Sequence, residues 1–354
     1  MSPYHQNKQS PLSYSNPDAD SYTYVDGRGF APTPPVITER RLLQWCANGI
    51  GFAIIFYIIF SFTFPDMITG IFRIFNPYLR MLEDGSVASP VIAELISLIS
   101  GSLALLLPFL LLVFISRAPM MKILPFRAFR ASIALPSLFI ALGVSVIGYA
   151  ASVSVSAFLS VFGLQPVMAD FTFPQNPAAA AIFVLNITII APFVEEIAFR
   201  GVILNILRRF GDCLALLLSS VLFAAVHMNL VQMPNAFIMG LVIGYFTLCT
   251  GSLWTGILIH ILNNSLVLLL NELLMLMPEP QQMLVMFAVY ALYLLLAIIA
   301  LLLLLKNHPN MFFFLRSDTL STEKKKYAAF FSSLTMVCSL ILLLLFTLSN
   351  IVPL

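Results

Sequence analysis

Charged residues are scarce in this chain of 354 residues. Asp, Glu, Lys and Arg together make up 10% of it, against about 25% in typical soluble proteins. Hydrophobic residues account for 60%, and the mean hydropathy is +0.97. This composition excludes an ordinary soluble enzyme. The net charge of +2 gives no support for a nucleic-acid partner, because the basic residues lie at the ends of apolar runs.

Cysteine is also scarce, and several familiar hydrolase motifs are missing. The four cysteines lie in or beside apolar runs, with no spacing typical of a zinc knuckle or a disulfide framework. The chain has no GxSxG elbow, no HExxH helix, no buried Cys–His arrangement and no aspartate pair. Serine, cysteine and aspartyl protease mechanisms therefore have little support.

Long apolar runs recur along the whole chain, and about 20 apolar residues suffice to cross the hydrocarbon of a bilayer as a helix. We predict an all-α fold, a polytopic transmembrane helical bundle of about 8–9 spans. The nine candidate spans lie near residues 43–64, 90–116, 132–164, 177–207, 213–229, 235–250, 252–272, 281–305 and 327–349.

These spans divide the chain into four regions. Residues 1–42 are polar and rich in Pro and Ser, which is typical of a disordered tail. We expect N-terminal transmembrane helices over 43–164 and C-terminal helices over 281–349. The region 177–272 between them holds the polar motifs, and its four helices near 177–270 are the predicted catalytic core.

Basic residues alternate between the loops, which predicts an orientation. Lys and Arg are concentrated in the loops 117–131, 208–212 and 306–326. Among the loops of the opposite parity, 165–176, 230–234 and 273–280 have none. The loop 65–89 has Arg73 and Arg80 but offsets them with three acidic residues, Asp66, Glu83 and Asp84. Cytoplasmic loops carry the excess of Lys and Arg, so we expect a cytoplasmic N-terminus and an external C-terminus. Short loops and the lack of an organellar targeting segment favour the plasma membrane of a prokaryote.

Polar side chains nevertheless occur inside the predicted core. An ionised group at the centre of a bilayer costs about 2.5–3.5 kcal/mol or more, so such residues are expected to face one another around a wet cavity. They form three motifs: Glu195-Glu196-x-x-x-Arg200, Phe223-x-x-x-His227 and His260-x-x-x-Asn264. The fourth and fifth spans form a hairpin in which Glu195 and His227 both lie about 20 Å from the same end.

The first motif predicts a division of labour between two carboxylates. Glu196 and Arg200 are four residues apart on one helix face, which favours a supporting ion pair. That pairing leaves Glu195 free to hold and deprotonate a water molecule beside a histidine. His260 and Asn264 share another helix face, where their N–H groups are placed to stabilise an oxyanion. These parts suit amide hydrolysis by activated water.

Zinc is an open alternative at this stage. Glu195, His227 and His260 would make a three-ligand catalytic set with water in the fourth position. The two histidines come from different helices, however, so their spacing in the sequence does not define a metal site. A metal-free glutamate mechanism and a zinc mechanism both remain compatible with the sequence.

In order and residue type, the three motifs resemble those of the CAAX-processing and bacteriocin-processing (CPBP, or Abi) intramembrane proteases. This family includes the type II CAAX prenyl endopeptidase, and its members are described both as metalloproteases and as metal-free glutamate enzymes. The resemblance covers about 90 residues, from 177 to 270. It implies that Glu195 and His227 activate water, that the residues of the third motif form the oxyanion pocket, and that Glu196 and Arg200 support the catalytic helix. The implied partners are a membrane lipid environment and a peptide or protein substrate, either CAAX-type or bacteriocin-type.

Two other functions use the same residues. A transporter or ion-relay protein could carry protons through Glu195, Arg200 and His227, because intramembrane polar groups are typical of such proteins. No inverted repeat of the transporter kind is visible in the chain. The second alternative is a catalytically idle immunity or scaffold protein.

Overall fold

The computed structural model describes residues 22–25, 29–32, 35–83, 85–167, 173–309, 311 and 319–354. Much of the tail that we predicted to be disordered, residues 1–21, lies outside the described residues. Two short strands, β1 (Tyr22–Val25) and β2 (Gly29–Pro32), pair in antiparallel fashion before the first helix.

Helices form most of the described chain. The α-helices are α1 Pro35–Phe75, α2 Pro90–Ile115, α3 Met120–Ile123, α4 Ala131–Val161, α5 Pro177–Leu185, α6 Ala191–Glu196, α7 Leu204–Leu207, α8 Asp212–Ala225, α9 Gln232–Thr250, α10 Leu253–Met275, α11 Glu279–Asn307, α12 Glu323–Phe331 and α13 Leu334–Ser349. Two π-helices, π1 Asn186–Ile190 and π2 Ile197–Ile203, and the 3₁₀ turn Arg208–Phe210 join α5, α6 and α7 into one continuous segment. Strands β3 (Leu164–Pro166) and β4 (Ile351–Pro353) complete the fold.

The predicted polytopic helical bundle is confirmed. Seven helices of the described residues are long and apolar enough to cross a membrane, and the pair α12–α13, bent by 71°, would make an eighth span. The predicted span 213–229 corresponds to α8, which has only 14 residues. The bend between α12 and α13 falls at Ser332-Ser333, and Ser333 Oγ donates to Ala329 O at 3.0 Å. Serine pairs are a common cause of such kinks.

Helix α1 begins at Pro35, eight residues before the predicted first span, so residues 35–42 belong to a helix and not to the tail. Proline suits the first helical position, because its missing N–H would have no partner there. The helix also continues past Pro65 to Phe75.

Small residues let the helices pack closely, as is usual in membrane bundles. A Cβ at Gly51 of α1 would lie 2.5 Å from Met336 N of α13. A Cβ at Gly143 of α4 would lie 2.3 Å from Ala297 Cβ of α11. These contacts attach the N-terminal helices α1 and α4 to the C-terminal helices α13 and α11.

The loops that we predicted to share a side of the membrane contact one another. At one end, Lys326 Nζ donates to Phe210 O at 2.8 Å, and Ser252 Oγ donates to Arg127 O at 2.6 Å. At the other end, β3 pairs with β4. These contacts agree with the predicted alternation of loops, whereas the identity of the cytoplasmic side stays a prediction.

Candidate functional site

The helix that carries the first motif is irregular on both sides of its two glutamates. Glu195 and Glu196 end α6, which has only six residues and lies between π1 and π2. Single π turns inside α-helices are frequent at functional sites, because the extra residue in the turn shifts the direction of the following side chains.

The predicted ion pair forms in the centre of the bundle. Arg200 Nη1 donates to Glu196 Oε1 at 2.8 Å, and the two side chains are 1% and 0% exposed. Arg200 Nη2 donates to Gly240 O at 3.3 Å, and its guanidinium lies 4.3 Å from the ring centroid of Phe223. The charge of Arg200 is thus compensated by a carboxylate, a carbonyl and an aromatic face, which a buried cation requires.

His260 of α10 lies between the two carboxylates. Its Nδ1 is 2.9 Å from Glu196 Oε1, and its Nε2 is 3.6 Å from Glu195 Oε2. The first distance is a hydrogen bond, whereas the second is too long for one. The structure therefore places His260, and not His227, beside the predicted base.

Glu195 faces a polar cavity. Its side chain is 25% exposed, unlike the fully buried Glu196, and it lines a cavity of about 310 Å³. The cavity walls come from α1, α2 and the π1–α6 segment and carry several polar side chains: Tyr57, Ser61, Ser97, Ser100, Ser102 and Asn186. We expected a polar cavity at the glutamate, but we did not predict that α1 and α2 would form one wall.

His227 lies beyond the end of α8, in the turn that follows it. Its Nδ1 is 2.8 Å from Phe223 O, and a carbonyl can only accept, so Nδ1 carries the hydrogen. In the neutral ring Nε2 is then an acceptor. The next residue, Met228, has a φ of 49°, which is uncommon for a residue other than glycine. Within the described residues no hydrogen bond or ion pair joins His227 to Glu195. A shared role of the two residues in activating water stays a prediction.

The side chain of Asn264 does not point toward the same partner as His260 but contacts π1, next to the two glutamates. Asn264 Nδ2 donates to Ile187 O of π1 at 3.2 Å, and Asn263 Nδ2 donates to Asn264 Oδ1 at 3.3 Å. The two residues of the third motif share a helix, as predicted, but their donors point to different partners. The Asn264 amide carries two N–H groups, and the bond to Ile187 O uses one of them, so an oxyanion role does not require this bond to break.

The geometry does not suit the predicted zinc ligands. Nowhere in the described chain do three His, Cys, Asp or Glu side chains lie close enough together to hold one ion. Glu195 and His260 approach each other. The ring of Phe223 lies against both imidazoles in edge-on contacts, at centroid distances of 5.0 Å for His227 and 5.7 Å for His260. We therefore assign no step of the chemistry to a metal.

Two contributors to the site were missed in the sequence. Phe223 was noted only as part of a motif, yet its ring contacts Arg200 and both histidines. Gly256, one turn before His260, allows close approach, because a Cβ there would lie 2.9 Å from Glu196 Oε2. That oxygen is buried and has no hydrogen-bond partner. In the sequence, the four-residue spacing from Gly256 to His260 could have indicated that a small residue lies on the same helix face as the histidine.

Comparison with known proteins finds one family that resembles this region in sequence. Residues 177–266 match a family model described as type II CAAX prenyl endopeptidase Rce1-like. This segment is Rce1-like. The match confirms the family resemblance and begins at the residue where the predicted core begins, and every motif lies within it. It covers about a quarter of the chain.

A curated bacterial protein is also similar to part of the chain. The chain is 31% identical over 134 residues to an uncharacterized 24.3 kDa protein of Escherichia coli. That alignment covers 35% of this chain and 62% of the relative, so the chain spans less than two thirds of the relative it matches. No solved structure matches the chain.

Proposed function

We propose that this membrane protein is an intramembrane endopeptidase that hydrolyses a peptide bond with water activated by Glu195. The observation that carries the proposal is the position of Glu195, which lines a polar cavity inside an apolar bundle and lies beside His260. The cluster falls within the Rce1-like segment, whose family description is that of a CAAX-type endopeptidase.

The two glutamates have different surroundings, which supports the choice of base. Glu196 Oε1 already accepts from Arg200 and contacts His260, and its side chain is fully buried. Glu195 is 25% exposed, approaches His260 only at 3.6 Å and lines the cavity, so it is the carboxylate that the attacking water can reach. A general base must lie within hydrogen-bond reach of the proton that it removes.

His260 is placed to orient Glu195 during the proton transfers. Its Nδ1 is 2.9 Å from Glu196 Oε1, and its Nε2 is 3.6 Å from Glu195 Oε2. In the proposed reaction Glu195 takes a proton from water as the water oxygen bonds to the carbonyl carbon. The C–N bond then breaks, and that proton passes to the leaving amine.

The remaining two residues have supporting roles in this proposal. His227 presents Nε2 as an acceptor, which suits orientation of the attacking water together with Glu195. Asn264 supplies its second amide N–H to the developing oxyanion while the first stays on Ile187 O. Both assignments follow the predicted roles, although within the described residues no hydrogen bond joins either residue to Glu195.

The cavity favours an extended peptide as the substrate. Backbone N–H and C=O groups that enter a membrane without helical pairing need hydrogen-bond partners. The hydroxyl groups of α1 and α2 around the cavity can supply them. We infer that the substrate is a membrane-associated peptide or protein, with CAAX-type or bacteriocin-type processing as the two candidate reactions.

We also propose that the N-terminus faces the cytoplasm of a prokaryotic cell. Cysteines introduced at Thr322, which is exposed, and at Met277 would then differ in labelling by an impermeant thiol reagent on intact cells. We expect labelling at position 277 alone. Labelling at position 322 alone would reverse the orientation.

The proposed activity is tested by comparing the membrane peptides of cells that carry the intact protein or Glu195→Gln. Glu272→Gln, on the same helix as His260 but outside the cluster, is the matched control. We expect cleaved products with the intact protein and the control, and none with Glu195→Gln. Products that are unchanged in Glu195→Gln would contradict the proposal, and proton flux without cleavage would favour an ion-relay protein.

A further inference from the structure

A second cavity lies at the end of the bundle where the catalytic segment turns into α8. It has a volume of about 430 Å³ and lies where the spans 177–210 and 232–250 end. Four basic side chains line it: Lys122, Arg127, Arg208 and Arg209. They come from two separate parts of the chain, the α3–α4 region and the turn before α8. The peptidase proposal uses none of them.

The loop that carries two of these cations is fixed in place by buried polar groups. Asn205 Nδ2 donates to Ile123 O at 2.9 Å, and Ser252 Oγ donates to Arg127 O at 2.6 Å. Leu253 N also donates to Pro125 O at 3.0 Å. Asn205 is 9% exposed and Ser252 is fully buried. The fold therefore holds the like charges close together, although their mutual repulsion opposes this.

The acidic residues nearby do not neutralise the cavity. Asp212 is the acid among its lining residues, and it pairs with Arg208 at 2.9 Å. Across the described residues, no acidic side chain pairs with Lys122 or Arg127. The lining thus carries an excess of positive charge.

Part of the lining is apolar, which favours an anion that carries a hydrocarbon chain. Pro125, Leu204 and Leu248 contribute to the walls together with the basic residues. A ligand with an anionic group and an attached hydrocarbon chain would satisfy both parts of the surface. Anionic lipids attract basic residues at the ends of spans.

We propose that this cavity binds the phosphate group of an anionic phospholipid. The headgroup phosphate accepts hydrogen bonds from Lys122 and Arg127, and the start of an acyl chain lies against Leu204 and Leu248. Free phosphate has the same chemistry at the headgroup but cannot use the apolar wall.

Asn205 links this cavity to the helical segment that carries the first motif. Asn205 Nδ2, which fixes the basic loop, also donates to Arg200 O at 2.9 Å and to Gly201 O at 3.0 Å. These carbonyls belong to π2. A bound lipid is therefore expected to stabilise the folded protein, and the proposal does not depend on peptidase activity.

The test compares the unfolding midpoint and lipid affinity of the purified protein in phosphatidylcholine, with and without added phosphatidylglycerol. The double variant Lys122→Gln/Arg127→Gln removes the proposed contacts. Arg130→Gln is the matched control, because Arg130 is an exposed cation of the same loop that does not line the cavity. Equal midpoints of all forms in pure phosphatidylcholine would show that the variants fold.

Phosphatidylglycerol should raise the midpoint of the wild type and of Arg130→Gln. Its affinity for the double variant should fall by about tenfold or more, since each lost hydrogen bond to a charged group has about that effect. Equal affinities of control and double variant, or no preference over phosphatidylcholine, would overturn the proposal. Inorganic phosphate could instead bind the wild type and Arg130→Gln but not the double variant, while phosphatidylglycerol binds none of them. That result would show that the ligand is free phosphate and not a lipid.

Discussion

Replacing Arg200 by alanine tests the buried ion pair most severely. The change leaves Glu196 fully buried, with Oε1 contacted only by His260 and Oε2 already without a partner. It also removes the donor to Gly240 O and the cation over the Phe223 ring. Removing one member of a buried ion pair costs about 3–5 kcal/mol. We therefore expect Arg200→Ala to lose that much free energy of unfolding.

A second ion pair with the same spacing lies nearer the surface and serves as the control. Arg208 and Asp212 have the same i,i+4 spacing and an almost equal distance of 2.9 Å, but their side chains are 38% and 17% exposed. Exposed pairs contribute only about 0.2–1 kcal/mol. Arg208→Ala, measured in the same detergent without anionic lipid, should therefore cost several-fold less than Arg200→Ala.

Denaturant or thermal unfolding of the purified variants measures both effects. The double variant Glu196→Gln/Arg200→Ala removes the uncompensated charge and should recover part of the loss. The reasoning would be refuted if Arg200→Ala cost no more than Arg208→Ala. It would also be refuted if the double variant were no more stable than Arg200→Ala alone.

Four further changes probe the surroundings of the site. Gly101 lines the Glu195 cavity with open space around it, so Gly101→Leu should lower turnover without loss of stability; Gly70→Leu, also in open space, should lower neither. Gly256→Ala places a Cβ 2.9 Å from Glu196 Oε2 and should cost about 1–3 kcal/mol in unfolding measurements. Asn350→Ala removes a 2.9 Å bond to the turn after α8; activity should fall, with a stability loss of about 1 kcal/mol. Stripping with a strong chelator should leave turnover intact, and restoration of lost turnover by zinc alone would contradict the assigned chemistry.

Local contacts of the site could be predicted from the sequence. The Glu196–Arg200 pair follows from helix geometry alone, because residues four apart share a face. The polytopic bundle follows from the apolar runs, which need only length and composition. Both features depend on neighbours in the sequence.

The contacts between helices could not be predicted in the same way. The π turns around α6 change which side chains face α10. A regular α-helical repeat therefore could not predict that His260 approaches both glutamates. The end of α8 was also missed. No glycine or proline marks the turn at His227, and the left-handed backbone of Met228 depends on tertiary contacts such as Asn350 Nδ2 to Met228 O at 2.9 Å.

The walls of the polar cavity show the same limit. Tyr57 and Ser100 lie on α1 and α2, far from the motifs in sequence and outside the Rce1-like segment. Their serine and tyrosine hydroxyls resemble ordinary helix-packing residues when read alone. Only the packing of α1 and α2 against the catalytic segment brings them to Glu195.

The central claim is that Glu195 is the base that activates water, and the most direct test is turnover of a cleaved membrane peptide by purified protein. Glu195→Gln keeps the size of the side chain but removes its basicity. We predict that this variant unfolds at the wild-type midpoint and loses about 10²–10⁴-fold in turnover, the range typical of a lost general base. Near-normal turnover by folded Glu195→Gln would contradict the account.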